Sequence, residues 1–91
     1  MIIGTFTQQP AEYLDYDIPY ELTSGDSLSS ATATVSPAGL TVGSPLVIPG
    51  NKVKIWISGG VSGVTYKVEV TTTTTLGRIK QDELRFRIKD F

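Results

Sequence analysis

Hydrophobic and polar residues alternate with a period of two along most of this chain, and no stretch shows the 3.6-residue period of an amphipathic helix. The alternation predicts strands at residues 11–22, 27–36, 40–48 (as one or two short strands), 52–58, 64–74 and 83–89. In the clearest of them, Val53, Ile55 and Ile57 share the inward face. The pattern therefore predicts an all-β fold, an Ig-like antiparallel two-sheet β-sandwich of about seven strands, with a small barrel as the alternative.

Loops rich in glycine, proline and serine separate these strands. The glycine-rich segment 59–63 joins the strands at 52–58 and 64–74, and we expect these two strands to form a central hairpin. The same segment lacks the Gly-Lys-Ser/Thr sequence and the following helix of a phosphate-binding loop. It is therefore interpreted as a strand connection.

The first ten residues differ from the rest of the chain. Pro10 has no amide hydrogen to donate to a sheet, so Gln8, Gln9 and Pro10 are expected to lie outside one. We predict an extended N-terminal arm at residues 1–10, followed by one sandwich domain at residues 11–91. Three apolar residues of the arm are candidates for adding a strand to a neighbouring subunit: Ile2, Ile3 and Phe6.

Composition excludes most kinds of active site. The chain has 91 residues and neither cysteine nor histidine, so the commonest general base and the commonest metal ligands are missing. Four early acids could in principle bind calcium, but their spacing matches no known loop and favours a solvated strand face: Glu12, Asp15, Asp17 and Glu21. We predict no catalytic residues, no cofactor and no metal. No apolar run reaches 18 residues, so we also expect no membrane contact and no secretory signal.

Charge is unevenly distributed along the chain. Five acidic and no basic residues precede Lys52, whereas eight basic and four acidic residues follow from it, so the two parts carry −5 and +4 within a net charge of −1. This small net charge argues against nucleic-acid binding. The favoured interpretation is that the two parts pair within one molecule. The alternative is a dipolar domain that docks head to tail with copies or partners.

The remaining candidate residues are one aromatic and several charged side chains. Trp56 lies in mid-strand and points away from the inward isoleucines, which favours burial on both faces of a central strand. If Trp56 is exposed instead, it becomes the leading contact residue. The outward basic row of Arg85, Arg87 and Lys89 could bind an acidic partner or protect a sheet edge from pairing. The predicted partner-binding residues are Ile2, Ile3, Phe6, Asp15, Asp17, Lys54, Trp56, Arg85, Arg87 and Lys89.

Several short segments, taken in order, resemble one family of small proteins from tailed bacteriophages and prophages, the phage fibre–tail adaptor proteins with an Ig-like fold. The similarity runs from residue 9 to residue 90. Its segments are Pro10-Ala11-Glu12, Asp15-Tyr16-Asp17-Ile18, Leu22 with Gly25-Asp26, Trp56-Ile57-Ser58-Gly59-Gly60 with Gly63, Tyr66-Lys67-Val68, the threonine run into Gly77-Arg78, and Arg87-Ile88-Lys89-Asp90.

The resemblance implies a structural virion protein, made in the bacterial cytoplasm, that connects fibre, tail or head components by protein–protein contacts. Its expected partners are other virion proteins and further copies of itself. The family supplies no catalytic residues to transfer to this chain. A carbohydrate-binding or adhesive Ig-like module is the alternative, with an exposed Trp56 as its platform.

Overall fold

The computed structural model describes the backbone of residues 2–22 and 24–90, and the side chains of the same ranges from Gly4 onward. Within these residues the chain forms strands and connecting loops and contains no helix, hence none that could cross a membrane. The strands are β1 (Ile2–Gln8), β2 (Tyr13–Pro19), β3 (Leu28–Ser36), β4 (Leu40–Val42), β5 (Leu46–Ile48), β6 (Lys52–Gly59), β7 (Thr65–Thr74) and β8 (Ile79–Ile88).

The strands form two four-stranded sheets, which confirms the predicted all-β sandwich. The first sheet has the order β1-β8-β7-β3, and the second has the order β2-β6-β4, with β5 also paired to β6. Eight strands replace the predicted seven or so. One reason is that Gly43 and Pro45 divide the segment at 40–48 into β4 and β5, which pair with different parts of β6.

The core lies between the inward faces of the two sheets. It includes Ile55 and Ile57 from the second sheet and Val68 and Phe86 from the first, all without solvent exposure. Complete burial of one such side chain contributes roughly 1.5–3 kcal/mol. Small side chains, Ala31 and Ala33 on β3 among them, complete the packing at one edge. The inward residues expected from the alternation are therefore the residues that form the core.

The expected central hairpin is wrong. Strand β6 lies in the second sheet and β7 in the first, so residues 59–63 cross from one sheet to the other. Gly60 makes this crossing possible, with a φ of +94° and a position where an added Cβ would lie 2.7 Å from Cγ1 of Ile88. Alternation shows which face of a strand is buried. It does not show whether two strands belong to the same sheet, because strands of opposite sheets bury their faces in the same core.

The N-terminal segment is extended as expected, but its partner belongs to the same chain. Strand β1 pairs in parallel with β8, with Phe6 opposite Phe86. Gln8, expected outside a sheet, ends this strand and is only 1% exposed. Since β8 is flanked by β1 and β7, its basic row does not protect a sheet edge, and that interpretation is wrong. The domain boundary after residue 10 stays a prediction.

Gln8 is accommodated in the core because its side-chain amide both donates and accepts hydrogen bonds. Its Nε2 donates to the backbone carbonyl of Ile57 at 2.9 Å and to that of Glu12 at 3.0 Å. Its Oε1 accepts a hydrogen bond of 2.8 Å from the hydroxyl of Tyr16. These bonds connect β1 of the first sheet to β2 and β6 of the second, so Gln8 links the two layers of the sandwich.

Candidate functional site

The register between β2 and β6 gathers four of the predicted partner-binding residues on the outer face of the second sheet. Asp15 lies opposite Trp56, and Asp17 lies opposite Lys54. On the other side of β6, Leu46 of β5 is also opposite Lys54. Side chains opposite one another in paired strands share a face of the sheet. We call this surface the aromatic face, and it consists of Tyr13, Asp15, Asp17, Leu46, Lys54 and Trp56.

Trp56 is half-buried on the aromatic face and does not lie between the sheets, so the favoured expectation of burial on both sides is wrong. Its ring stacks on Tyr13, with ring centroids 4.8 Å apart and an interplanar angle of 24°. Tyr13 itself is 64% exposed and Leu46 is 54% exposed. The residues that the structure describes form two sheets, so none of them adds a further layer over the outer side of β6. The face therefore presents two stacked rings and a leucine to solvent.

Lys54 connects the two acids of this face. Its Nζ lies 2.9 Å from Oδ2 of Asp15 and 3.7 Å from Oδ1 of Asp17. The hydrogen bond from Lys54 lowers the pKa of the Asp15 carboxyl, and the same bond raises the pKa of Lys54. An ammonium group thus occupies the position between these carboxylates that a bound cation would take. No group of three or more potential ligands in the described part of the chain could hold a metal ion.

The expectation that acids of the N-terminal part pair with bases of the C-terminal part is confirmed at these sites and at one more. Asp26 lies at the end of the sandwich where β7 turns into β8, and its Oδ2 is 3.0 Å from a guanidinium nitrogen of Arg78. Burial alone would raise the pKa of Asp26, but hydrogen bonds from Thr74, Leu76, Thr75 and Ser27 outweigh it and lower that pKa to about 2. This carboxylate fixes the loop before β3 to the β7–β8 turn.

The basic row lies on the opposite side of the molecule, on the outer face of the first sheet. Arg85 and Arg87 are exposed there, and Lys89 follows the end of β8, where its backbone amide donates to the carbonyl of Gln8 at 3.1 Å. Lys67 lies opposite Arg85 in the register. These cations are balanced along their own strands, by Glu69 at 3.1 Å from Lys67 and by Glu83 at 2.7 Å from Arg85.

Phe6 belongs to neither of these faces. Phe6 is half-buried and packs against the core, with its ring centroid 5.5 Å from that of Phe86 and 5.0 Å from that of Tyr16. Its role in the structure is therefore to hold β1 to its own chain. The side chains of Ile2 and Ile3 lie outside the described residues.

Sequence reasoning overlooked Tyr13 and Leu46 as members of the aromatic face. For Tyr13 a signal was present, because alternation places it on the same face of its strand as Asp15 and Asp17. For Leu46 no local signal existed, since only the pairing of β5 with β6 brings it next to Lys54.

Residues 8–87 fit the protein-family model described as podophage GP4 fiber-tail adaptor protein gp77. The matched range contains the whole aromatic face together with Arg85 and Arg87, and it ends before Lys89. No curated protein matches the chain.

Proposed function

The chain belongs to the podophage GP4 fiber-tail adaptor protein family, and we propose that it is a structural part of the phage particle that binds tail or fibre proteins through its aromatic face. Family membership identifies a phage structural adaptor, which supports a role without catalysis. The proposal has three further parts. The chain is made in the bacterial cytoplasm and becomes part of the virion, it acts by protein–protein contact, and its aromatic face makes the contact.

The observation that carries the surface assignment is the exposed stack of Tyr13 on Trp56. Tyrosine and tryptophan are enriched at the centres of protein interfaces, where a few large side chains supply most of the binding energy. Both rings lie on paired strands rather than on loops, so they lose little conformational freedom on binding. Leu46 extends the same apolar surface across β6.

The charges beside the stack support a specific orientation of the partner. Asp15 and Asp17 flank Lys54 at the margin of the aromatic rings, so this margin offers both an acceptor and a donor of ion pairs. Charged groups at the margin of an interface contribute more to association rate and orientation than to affinity. A partner with a complementary basic and acidic pattern is therefore favoured over one that is only apolar.

An adaptor needs a second contact surface, and the basic row of Arg85, Arg87 and Lys89 is our candidate for it. It lies on the sheet opposite the aromatic face, so two partners could bind without competing for space. Contacts between unlike faces of identical copies are heterologous and close into rings when the rotation permits. We therefore include self-association of the chain in the proposal, and sedimentation at increasing concentration tests it.

Substitution of the two rings tests the assignment. Phage lacking the native gene are supplied with the parent chain, with the double variant Tyr13→Ala and Trp56→Ala, or with Thr71→Ala from the opposite face as control. The amount of the chain in purified particles is then measured by mass spectrometry. We expect the double variant to be incorporated at least about 30-fold less, as is typical of a binding hot spot, and the control to match the parent. Unchanged incorporation of a folded double variant would contradict the assignment.

The alternative of a carbohydrate-binding module makes a different prediction. Tyr13 covers one face of the Trp56 ring, which leaves less of the indole available for stacking on a sugar. Quenching of Trp56 fluorescence by simple sugars would support the alternative. We expect no quenching.

A further inference from the structure

An open groove of about 490 Å³ lies between the two sheets at the end of the sandwich where β2 ends and β8 begins. Its volume is within the usual range for sites that bind small groups. Neither the aromatic face nor the basic row contributes to it. The residues that line it are Ile18, Pro19, Tyr20, Glu21, Lys80, Gln81 and Asp82.

Asp82 is the unusual residue of this groove. It is 6% exposed and belongs to the inward side of β8, the side that otherwise carries Leu84, Phe86 and Ile88. No lysine or arginine of residues 4–22 and 24–90 forms an ion pair with it. The burial of a carboxylate is costly unless a cation and hydrogen bonds compensate for the lost water. Asp82 therefore has no cationic partner among the described residues.

Tyr20 and Lys80, which also line the groove, form no ion pair with Asp82. The Tyr20 hydroxyl accepts a hydrogen bond of 3.0 Å from Thr72. The pKa of Tyr20 is raised, mainly by burial and further by the negative charge of Asp82 and a hydrogen bond to it, so Asp82 has a hydrogen-bond partner but no cation within the described part of the chain. Lys80 lies at the margin, with its Nζ 6.0 Å from the centre of the Tyr20 ring and 3.4 Å from the backbone carbonyl of Glu21.

Asp26, at the same end of the molecule, is a buried carboxylate whose charge and hydrogen bonds are fully satisfied within the chain. Its side chain is completely buried, yet it pairs with Arg78 and accepts several hydrogen bonds. The chain therefore satisfies one buried carboxylate internally and leaves the other facing a groove. The wall of that groove is apolar where Ile18, Pro19 and Tyr20 line it. A carboxylate at one side of an apolar wall is complementary to a cation on an alkyl chain.

We propose that this groove binds the side chain of a lysine or arginine from a partner protein. The alkyl part of that side chain lies against Ile18, Pro19 and Tyr20, and its cationic end pairs with Asp82. The inference rests on the proposed adaptor role only in taking the partner to be a protein. It assigns a second, chemically distinct contact to the end of the sandwich.

The test uses the isolated full chain and the probe Nα-acetyl-L-arginine methylamide, titrated while amide signals are followed by NMR. We expect saturable shifts of the signals of residues 18–21 and 80–82 in the parent chain and in the control Asp90→Asn, which removes an exposed carboxylate. Asp82→Asn should weaken binding at least about tenfold, because it removes the charge and keeps the shape. The uncharged probe Nα-acetyl-L-norleucine methylamide should cause no saturable shift.

Thermal unfolding provides the second measurement. A buried carboxylate without a counter-ion destabilises the isolated chain, so Asp82→Asn should keep or raise Tm while it weakens binding. The proposal is overturned if Asp82→Asn binds the arginine probe as tightly as the parent, if no saturable shift occurs at the groove, or if this variant unfolds at a lower temperature than Asp90→Asn.

The same titration separates this proposal from the proposed function. The double variant Tyr13→Ala and Trp56→Ala should bind the arginine probe as the parent does, because the aromatic face and the groove share no residue. Loss of probe binding in Asp82→Asn together with normal incorporation of the aromatic-face variant would support the groove and contradict the aromatic face. Failure of probe binding alone would leave the assignment of the aromatic face intact.

Discussion

The two outer faces of this sandwich have similar backbones but different surfaces. On the first sheet, threonines surround charges that are balanced within single strands, as in the pairs Lys67–Glu69 and Glu83–Arg85. On the second sheet, the charges of Asp15 and Lys54 balance across strands, and the exposed area beside them is aromatic. The first face is mostly polar, with Ile79 as an exposed apolar side chain near the β7–β8 turn. The second exposes apolar surface that the fold itself does not need.

The difference indicates where to look for function in a sheet protein without an active site. Scattered exposed hydrophobic residues are normal on protein surfaces, but adjacent ones on a rigid face mark an interaction site. Tyr13 stacks on Trp56, and Leu46 shares their face, only because β2, β6 and β5 pair in this particular register. The outer face of the first sheet has a different character, since small and stiff threonine side chains separate its charged residues.

The largest expected effect comes from a substitution of Gln8, the residue that links the two sheets. Gln8→Leu should lower the free energy of unfolding by about 2–4 kcal/mol, because the buried carbonyls of Ile57 and Glu12 and the Tyr16 hydroxyl would lose their hydrogen-bond partner. The exposed control Gln81→Leu should change it by less than about 0.5 kcal/mol. Urea unfolding measures both. Equal stability of the two variants would show that the sheets do not depend on this link.

A charge reversal on each face should separate them directly. Lys54→Glu places a third carboxylate beside Asp15 and Asp17, so incorporation into particles should fall about tenfold through repulsion and loss of the bridging cation. Lys67→Glu instead removes a like-charge pair opposite Arg85, so it should leave stability within about 1 kcal/mol of the parent and lower incorporation less than Lys54→Glu, because the basic row keeps its three cations. If Lys67→Glu has the greater effect on particles, the functional face is the first sheet.

The smallest expected effect is the response of stability to acid. The folded-state pKa of Asp26 is lowered from 3.8 to about 2, so its contribution to stability is present above its ordinary pKa and is lost as the pH falls towards the lowered value. The lowered pKa of Asp15 acts in the same direction. Between pH 4 and pH 2, Asp26→Asn should therefore show a shallower fall in Tm than the parent, and Asp15→Asn a smaller change of the same sign.

The control for this acid response is Asp90→Asn, whose Tm should follow the parent through the same pH range. A slope in Asp26→Asn identical to that of the parent would mean that the network around Asp26 does not contribute to stability in acid.

Much of the fold could be predicted from local pattern. The strands at 27–36, 52–58 and 64–74 were located almost to their ends, because each alternates strongly and is bounded by glycine or proline. The sequence of β1 predicts an extended arm that pairs with a neighbouring subunit, because Pro10 and two glutamines follow its apolar residues. Its true partner, β8, is about 80 residues away along the chain, and no local signal reports such a parallel pairing.

The candidate site was predicted only in part. Alternation places Asp15 with Asp17 on one strand face and Lys54 with Trp56 on another, but nothing in the sequence joins these two strands to each other or to Leu46. The sequence predicts the strand that carries the basic row correctly. It does not show that this strand lies inside the sheet, because an edge strand and an inner strand can have the same alternation. The sequence does not distinguish Asp82 from an exposed acidic residue, because a single acid in a strand carries no local signal of its burial.

The sequence by itself determined which side of each strand is buried, that no histidine or cysteine chemistry is available, and that the charges are segregated along the chain. These properties follow from side-chain type and a period of two residues. Only the tertiary structure decided which strands are neighbours, and thereby that Tyr13 covers Trp56, that Gln8 bridges the sheets and that Asp82 faces a groove without an ion-pair partner among the described residues. Strand neighbours depend on pairings between residues far apart in the chain, and the free energy of those pairings is not encoded in any short segment.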